Sequence, residues 1–103
     1  MLLAAPGVLA EIRFDDVSTV SGVDSVRSET WGVSWGDYNG DGFPDLFVNN
    51  HRNTASLFQN NADGTFSDVA LQADTDRGWT FTPKDTHGAA WADFDGDGDQ
   101  DLA

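Results

Sequence analysis

Two short stretches of this chain place acidic side chains at a spacing that coordination chemistry can use. Asp37, Asn39, Asp41 and Asp45 hold positions one, three, five and nine of the first stretch. Asp93, Asp95, Asp97 and Asp101 hold the same positions of the second. In a loop where every second residue points inward, such a stretch offers a cage of oxygens. Position seven, Phe43 in the first and Asp99 in the second, would add a backbone carbonyl. Gly42 and Gly98 at position six permit the sharp turn that brings the later ligands back. The hard cation that takes six to eight oxygens from such loops is calcium, so two calcium sites are expected. The second, whose side-chain ligands are all carboxylates, is expected to bind more tightly than the first, where Asn39 replaces one charge.

The same opening would suit a helix–loop–helix calcium site, which needs a bidentate Glu at position twelve and flanking helices. Position twelve of the first loop is Val48, and its neighbours Leu46 and Phe47 are strand formers. Pro44 at position eight fits a loop and neither a helix nor a central strand. A strand context is therefore the better reading.

An internal repeat supplies that context. Gly32 to Leu46 aligns without a gap on Gly88 to Leu102, at an offset of 56 residues. A second echo relates Phe14-Asp15-Asp16-Val17 to Phe66-Ser67-Asp68-Val69 at an offset of 52. Val33 and Trp35 alternate with small residues, which predicts a short buried strand ahead of the first loop. Strands are expected over 45–50, 55–59 and 65–69, with a tight hairpin turn at Asp63-Gly64. Residues 12–17 read as a lone outer strand, and 72–87 as a long polar connection.

Four antiparallel strands recurring at this period are the signature of a propeller blade. The expected fold is all-β: about one complete four-stranded blade plus parts of two neighbours. Residues 12–30 would be the outer strand of a preceding blade and its connection, 31–87 a complete repeat with connection, and 88–103 the start of the next. A closed propeller needs about four to eight blades, so the chain is expected to be a piece of a longer protein, or to pair with other copies. Residues 1–11 resemble the end of a signal-peptide apolar region, with Val8-Leu9-Ala10 at the place of cleavage and no basic leader. The alternative is a ragged N-terminus.

Composition narrows the function. Of 103 residues, 18 are acidic and five basic, a net charge of −13. Such a chain repels phosphate backbones and anionic membrane surfaces, so no nucleic-acid partner is expected. No apolar run is long enough to span a bilayer, so membrane insertion is not expected either. There are no cysteines, which excludes a disulfide scaffold and a thiolate zinc site. No catalytic constellation accompanies His51 or His87, and every close carboxylate pair is accounted for by metal ligation, so no enzyme activity is expected. His87 aligns with Trp31 across the repeat, which makes it an aromatic-type position beside an inner strand. Trp35 and Trp91 are expected in the core, facing the neighbouring blade. Trp31 and Trp79 offer an alternative, carbohydrate-stacking role. Asp15, Asp16 and Asp68 are expected to guard an outer strand edge against aggregation.

The pattern Gly-x-x-Trp-x-Asp-x-Asx-x-Asp-Gly-x-x-Asp-Leu, followed by Leu57-Phe58-Gln59-Asn60-Asn61 and Asp63-Gly64-Thr65-Phe66-Ser67-Asp68-Val69, resembles FG-GAP/VCBS-type repeats. These are the integrin-α-like propeller repeats of many secreted bacterial proteins. The pattern is similar to the subset that often precedes an ASPIC/UnbV-type domain, although no such segment is present in this sequence. The resemblance covers about residues 12–102. It implies a propeller with calcium between the first and second strands of a blade, at the positions named above. It also implies a secreted, cell-surface or periplasmic setting, and contacts to neighbouring blades, proteins or glycans. The family's pattern supplies no catalytic residue. A carbohydrate-binding propeller, or a scaffold segment of a polysaccharide-active enzyme, is the alternative reading.

Overall fold

A computed structural model describes residues 7, 10–25, 29–71, 73 and 87–103. Four strands, β1 (Thr30–Gly36), β2 (Asp45–Asn50), β3 (Ser56–Asn60) and β4 (Phe66–Asp68), form one antiparallel sheet in the order β1-β2-β3-β4. The architecture is all-β, as expected of a propeller-blade fragment. Two further strands, β5 (Trp91–Ala92) and β6 (Asp101–Leu102), form a second antiparallel pair. The repeat is carried into three dimensions. Gly36 pairs with Asp45 across the first acidic loop, and Ala92 pairs with Asp101 across the second.

Alternation along the strands sorts the side chains onto two faces. One face carries Phe47 and Leu57, which are buried with Ala70 and Ala73 as the core. Tyr38, Ala55, Val69, Ala89, Trp91 and Leu102 pack against that cluster, so the β5–β6 pair supplies one wall of it. The seat for Trp91 is Gly36. A Cβ there would lie within the van der Waals radius of the indole ring, so only glycine lets the ring come down onto β1. The Trp91 indole Nε1 donates to the Ser34 carbonyl at 3.3 Å, which satisfies its one polar group.

Three expectations need correction. Trp91 is in the core as expected, but Trp35 and Val33 are not. They lie on the opposite face of β1 and are 57% and 58% exposed, because nothing described covers that side of the strand. Residues 12–17 form no strand. Strand structure requires a ladder partner, and among the described residues they have none. Instead Asp16 accepts the Ser18 N–H and hydroxyl, and starts the helical turn α1 (Ser18–Ser21). The hairpin turn before β4 places its positive φ angles at Ala62 and Gly64 rather than at Asp63 and Gly64. The Asp63 carboxylate accepts the Thr65 N–H and hydroxyl, and so holds the turn from within.

The edge strand β4 carries the exposed carboxylate of Asp68 and has a second neighbour beside it. Gly22, at φ 84° just after α1, passes so close to the sheet edge that a Cβ would lie 3.0 Å from the Phe66 carbonyl. Asp68, expected as a charged edge residue, is exposed and also accepts the N–H groups of Leu57 and Ala70. Asp15 pairs with Arg13. Residues 72 and 74–86, which include most of the expected connection and Trp79, lie outside the described residues, as do residues 1–6, 8 and 9 of the expected leader, Val8 and Leu9 of its expected cleavage position among them, and residues 26–28.

The glycine seat yields a direct test. Gly36→Val should push the Trp91 ring off β1. Overpacking of this kind typically costs about 1–3 kcal/mol. Urea unfolding is expected to show that loss together with a red-shifted tryptophan emission, whereas Gly40→Val, where a Cβ would meet nothing, should leave the emission unchanged.

Candidate metal centre in paired acidic loops

The two loops, residues 37–44 and 93–100, follow one plan of hydrogen bonds. In the first, Asp37 Oδ1 accepts the N–H groups of Gly40 and Asp41, and its Oδ2 accepts that of Gly42. In the second, Asp93 Oδ1 accepts Gly96 and Asp97, and its Oδ2 accepts Gly98. Three convergent N–H groups on one carboxylate fold each loop around its first acid. This is geometrically possible because both glycines of each loop sit at positive φ: 73° and 87° at Gly40 and Gly42, 78° and 96° at Gly96 and Gly98. The requirement at Gly42 and Gly98 was legible in the sequence; the equal requirement at Gly40 and Gly96 was not. The backbone N–H of Phe43 donates to Asp41, and that of Asp99 to Asp97, so the two seventh positions also correspond.

The ninth positions show a matched tether. Tyr38 N–H donates to Asp45 Oδ2 at 3.0 Å, and Phe94 N–H donates to Asp101 Oδ2 at 2.8 Å. An aromatic residue directly follows the first acid in both loops, and that shared pattern was the available signal for this contact. The Tyr38 hydroxyl reaches across to Gln59 Oε1 and ties the loop to β3.

The loops differ in how their acids converge. In the second, Asp93, Asp95 and Asp101 each bring a carboxylate oxygen within 4.8 Å of the others, a set that could hold a metal ion. Asp97 is not in that set and accepts the Asp99 N–H instead. In the first loop Asp37, Asp41 and Asp45 form no such group. Asn39 exchanges hydrogen bonds with Asp41, its Nδ2 donating to Oδ2 and its Oδ1 accepting the Asp41 N–H. Asp45 is fully buried, and its second oxygen accepts the Asn60 N–H at 2.8 Å. The donor set at both loops is all oxygen, which suits a hard cation and not a thiophilic one. Between the loops lies a cavity of about 310 Å³, lined by Asp37, Tyr38, Gly40, Gly98, Asp99 and Gln100.

Electrostatics report the strain of this arrangement. Burial pushes the Asp45 carboxyl above its usual range of 3.8; the bonds from Asn60 and Tyr38 pull it back only in part, and the Asp41 and Asp37 charges add to the rise. At Asp95 the bond from Asp97 N–H pulls downward, yet desolvation and the carboxylates of Asp97, Asp101 and Asp93 together outweigh it. Asp16 and Asp63 move the other way, held down by the hydroxyl and N–H bonds of Ser18 and Thr65.

His51, His87 and Trp31 meet at the other end of β1. The ring centroids of Trp31 lie 5.1 Å from His51 and 4.8 Å from His87, and the two imidazoles are 5.9 Å apart. His87 and Trp31, which align across the repeat, therefore stack on each other. This cluster joins the start of the second unit to the first.

The raised acids set the sign of a pH effect. A carboxyl raised on folding contributes stability that is full below the ordinary value and is lost as pH rises through the folded value. Asp16 and Asp63 act only below about 3.8, so Asp45 and Asp95 govern the window above it. In chelator, the melting temperature should rise as pH falls toward that ordinary value. With a saturating divalent cation that needs ionised ligands, it should fall over the same range.

The sequence pattern of the FG-GAP-like repeat matches residues 37–103, from the first acid of the first loop to the end of the second hairpin. No curated protein and no solved structure matches the chain. The matched span covers well over half of the sequence and contains both loops and both hairpins that enclose them, and on that ground the chain belongs to the FG-GAP-like repeat family.

Proposed function

We propose that this chain is a calcium-binding structural and interaction module of a larger extracellular protein, one that orders repeat units and presents their free loops to a protein or glycan. The observation that carries the reading is the convergence of Asp93, Asp95 and Asp101 on one point, in a loop whose backbone plan is duplicated 56 residues earlier. Like charges gathered so closely are costly without a counterion, and an oxygen cage with a glycine-permitted turn is what calcium takes. The second site uses Asp93, Asp95, Asp97, Asp101 and the Asp99 carbonyl. The first uses Asp37, Asn39, Asp41, Asp45 and the Phe43 carbonyl, and closes on the ion from a less gathered state.

In this reading the module performs no chemistry of its own. Calcium supplies positive charge that neutralises the loops, and the chain's residues do the rest. Asp37 and Asp93 hold their loops folded, while Asp45 and Asp101 anchor the loop to the next strand. Binding confined to the folded form stabilises it by about 2.7 kcal/mol at 100 times the dissociation constant. Open loops of this kind suit the millimolar calcium outside cells. Among the described residues no helix is long and apolar enough to cross a membrane.

Thermal unfolding in calcium and in chelator tests the proposal. Calcium should raise the melting temperature by several degrees, and Asp41→Ala/Asp97→Ala should abolish the rise. Asp95→Asn should behave differently: it relieves repulsion, so the chelated protein melts higher than wild type while its calcium response shrinks. Equal melting temperatures with and without calcium in the folded wild type would reject the reading.

A further inference from the structure

Six asparagines occur in the chain, and one of them, Asn39, directly precedes a glycine. That pairing has a chemistry of its own. The peptide nitrogen after an asparagine can attack the side-chain carboxamide and close a five-membered ring. A side chain on the following residue crowds the attack, and glycine has none. Asparagine counts among the thermolabile residues. The other five asparagines are followed by larger residues: Asn50, His51, Thr54, Asn61 and Ala62. Asn49 and Asn50 are also buried.

The first loop brings the reacting atoms together. Asn39 Oδ1 accepts the Asp41 N–H at 3.1 Å, so the carboxamide closes over Gly40, whose nitrogen is the attacking atom. The same N–H draws electron density from the carboxamide carbonyl, as an oxyanion donor does. Gly40 N–H donates to Asp37 Oδ1 at 2.9 Å, which sets a carboxylate where the attacking nitrogen sheds its proton. Asn39 Nδ2, the group that leaves, donates to Asp41 Oδ2 at 3.0 Å. Gly40 is exposed and a Cβ on it would meet nothing, so water reaches the ring. Holding nucleophile and electrophile side by side is what makes intramolecular closures fast. The second loop shows that the frame accepts the product. There the dyad is Asp95-Gly96, with Asp95 Oδ1 accepting Asp97 N–H at 3.1 Å and Gly96 N–H donated to Asp93 Oδ1 at 2.7 Å.

We propose that Asn39 is a site of spontaneous deamidation, which converts the first loop slowly and irreversibly into an all-carboxylate loop like the second. Gly40 N forms a bond to Asn39 Cγ, and the Cγ–Nδ2 bond breaks. The proton shed by Gly40 passes by way of Asp37 to the departing amine, which leaves as ammonia. Water then adds to the cyclic imide. Opening at Cγ restores the normal backbone with an aspartate side chain at position 39. Opening at the main-chain carbonyl leaves an isoaspartyl link, which lengthens the backbone by one methylene and pulls Gly40 away from Asp37. Either product adds one negative charge to the net −13. The conversion itself needs no calcium. Its slowing by calcium, which would engage Asp37 and Asn39, rests on the proposed function.

Ageing of the full chain in chelator at mildly alkaline pH tests this, read by ion-exchange chromatography and peptide mass mapping. Wild type should accumulate an acidic form whose mass change, a carboxamide turned into a carboxyl, lies in the peptide that holds residue 39. Fresh Asn39→Asp should elute where the aged acidic form elutes. Asn39→Gln, whose ring closure would be six-membered, should lose the conversion. The folded chain should convert at least as fast as the chain unfolded in guanidinium chloride, because the loop supplies the proton acceptor and the carbonyl donor. Calcium should slow the conversion in step with its occupancy of the loop. Conversion confined to the unfolded chain would overturn the proposal, and so would another asparagine converting as fast as Asn39. Conversion untouched by calcium would count against the proposed function and leave this inference standing.

Discussion

A fully buried carboxylate, Asp45, sits where the first acidic loop becomes β2, and the order of the blade depends on how its charge is met. A carboxylate removed from water costs several kcal/mol unless hydrogen bonds or an ion compensate it. Here the compensation comes from Tyr38 N–H in the loop and Asn60 N–H at the end of β3. One side chain thereby fastens the loop, the second strand and the third. The compensation is partial, because the carboxyl is still pushed above its usual range by burial. Under the proposed function, a cation in the loop would complete it. The demand for positive charge is thus built into the fold, at a residue that also fixes the hairpin register.

The second unit shows the same demand at an earlier stage of enclosure. Asp101 holds the corresponding tether from Phe94, but is only half-buried, and its oxygens gather with those of Asp93 and Asp95. Four strands surround the first loop's anchor and two surround the second's. The difference between the loops follows from the sheet around them. Where β3 stands beside the ninth residue, its backbone N–H takes one oxygen; where no such strand stands among the described residues, the oxygen remains turned toward the other acids.

Much of this was legible in the sequence, for physical reasons. The loop positions could be read because oxygen coordination imposes a spacing of two, and because the 56-residue repeat separates the pattern from chance. The strands around the loops followed from their β-branched and aromatic content. What could not be read was which neighbour each face meets. Trp35 and Trp91 occupy equivalent positions in similar local patterns, yet one is mostly open and the other is packed against the core, because burial belongs to the partner surface and not to the residue. The echo at Phe14 promised a strand, but residues 12–17 take strand form only beside a ladder partner. Ala62 at φ 61° carries none of the glycine or asparagine signal that usually marks such a turn. The turn is held instead by the Asp63–Thr65 bonds. The seat at Gly36 was present in the sequence as a small residue beside a tryptophan, and only the structure shows that the tryptophan it serves lies 55 positions away.

The central claim is that the two loops are cation sites of the same design and unequal readiness. Calorimetric titration of calcium into the full chain tests it most directly, repeated in buffers of different ionisation heat to count released protons. The account predicts two sites, the tighter one lost in Asp93→Asn and the weaker one lost in Asp37→Asn, with proton release that grows as pH falls toward the raised values of Asp45 and Asp95. A folded chain that takes up no calcium, or takes it up at sites indifferent to both substitutions, would contradict it.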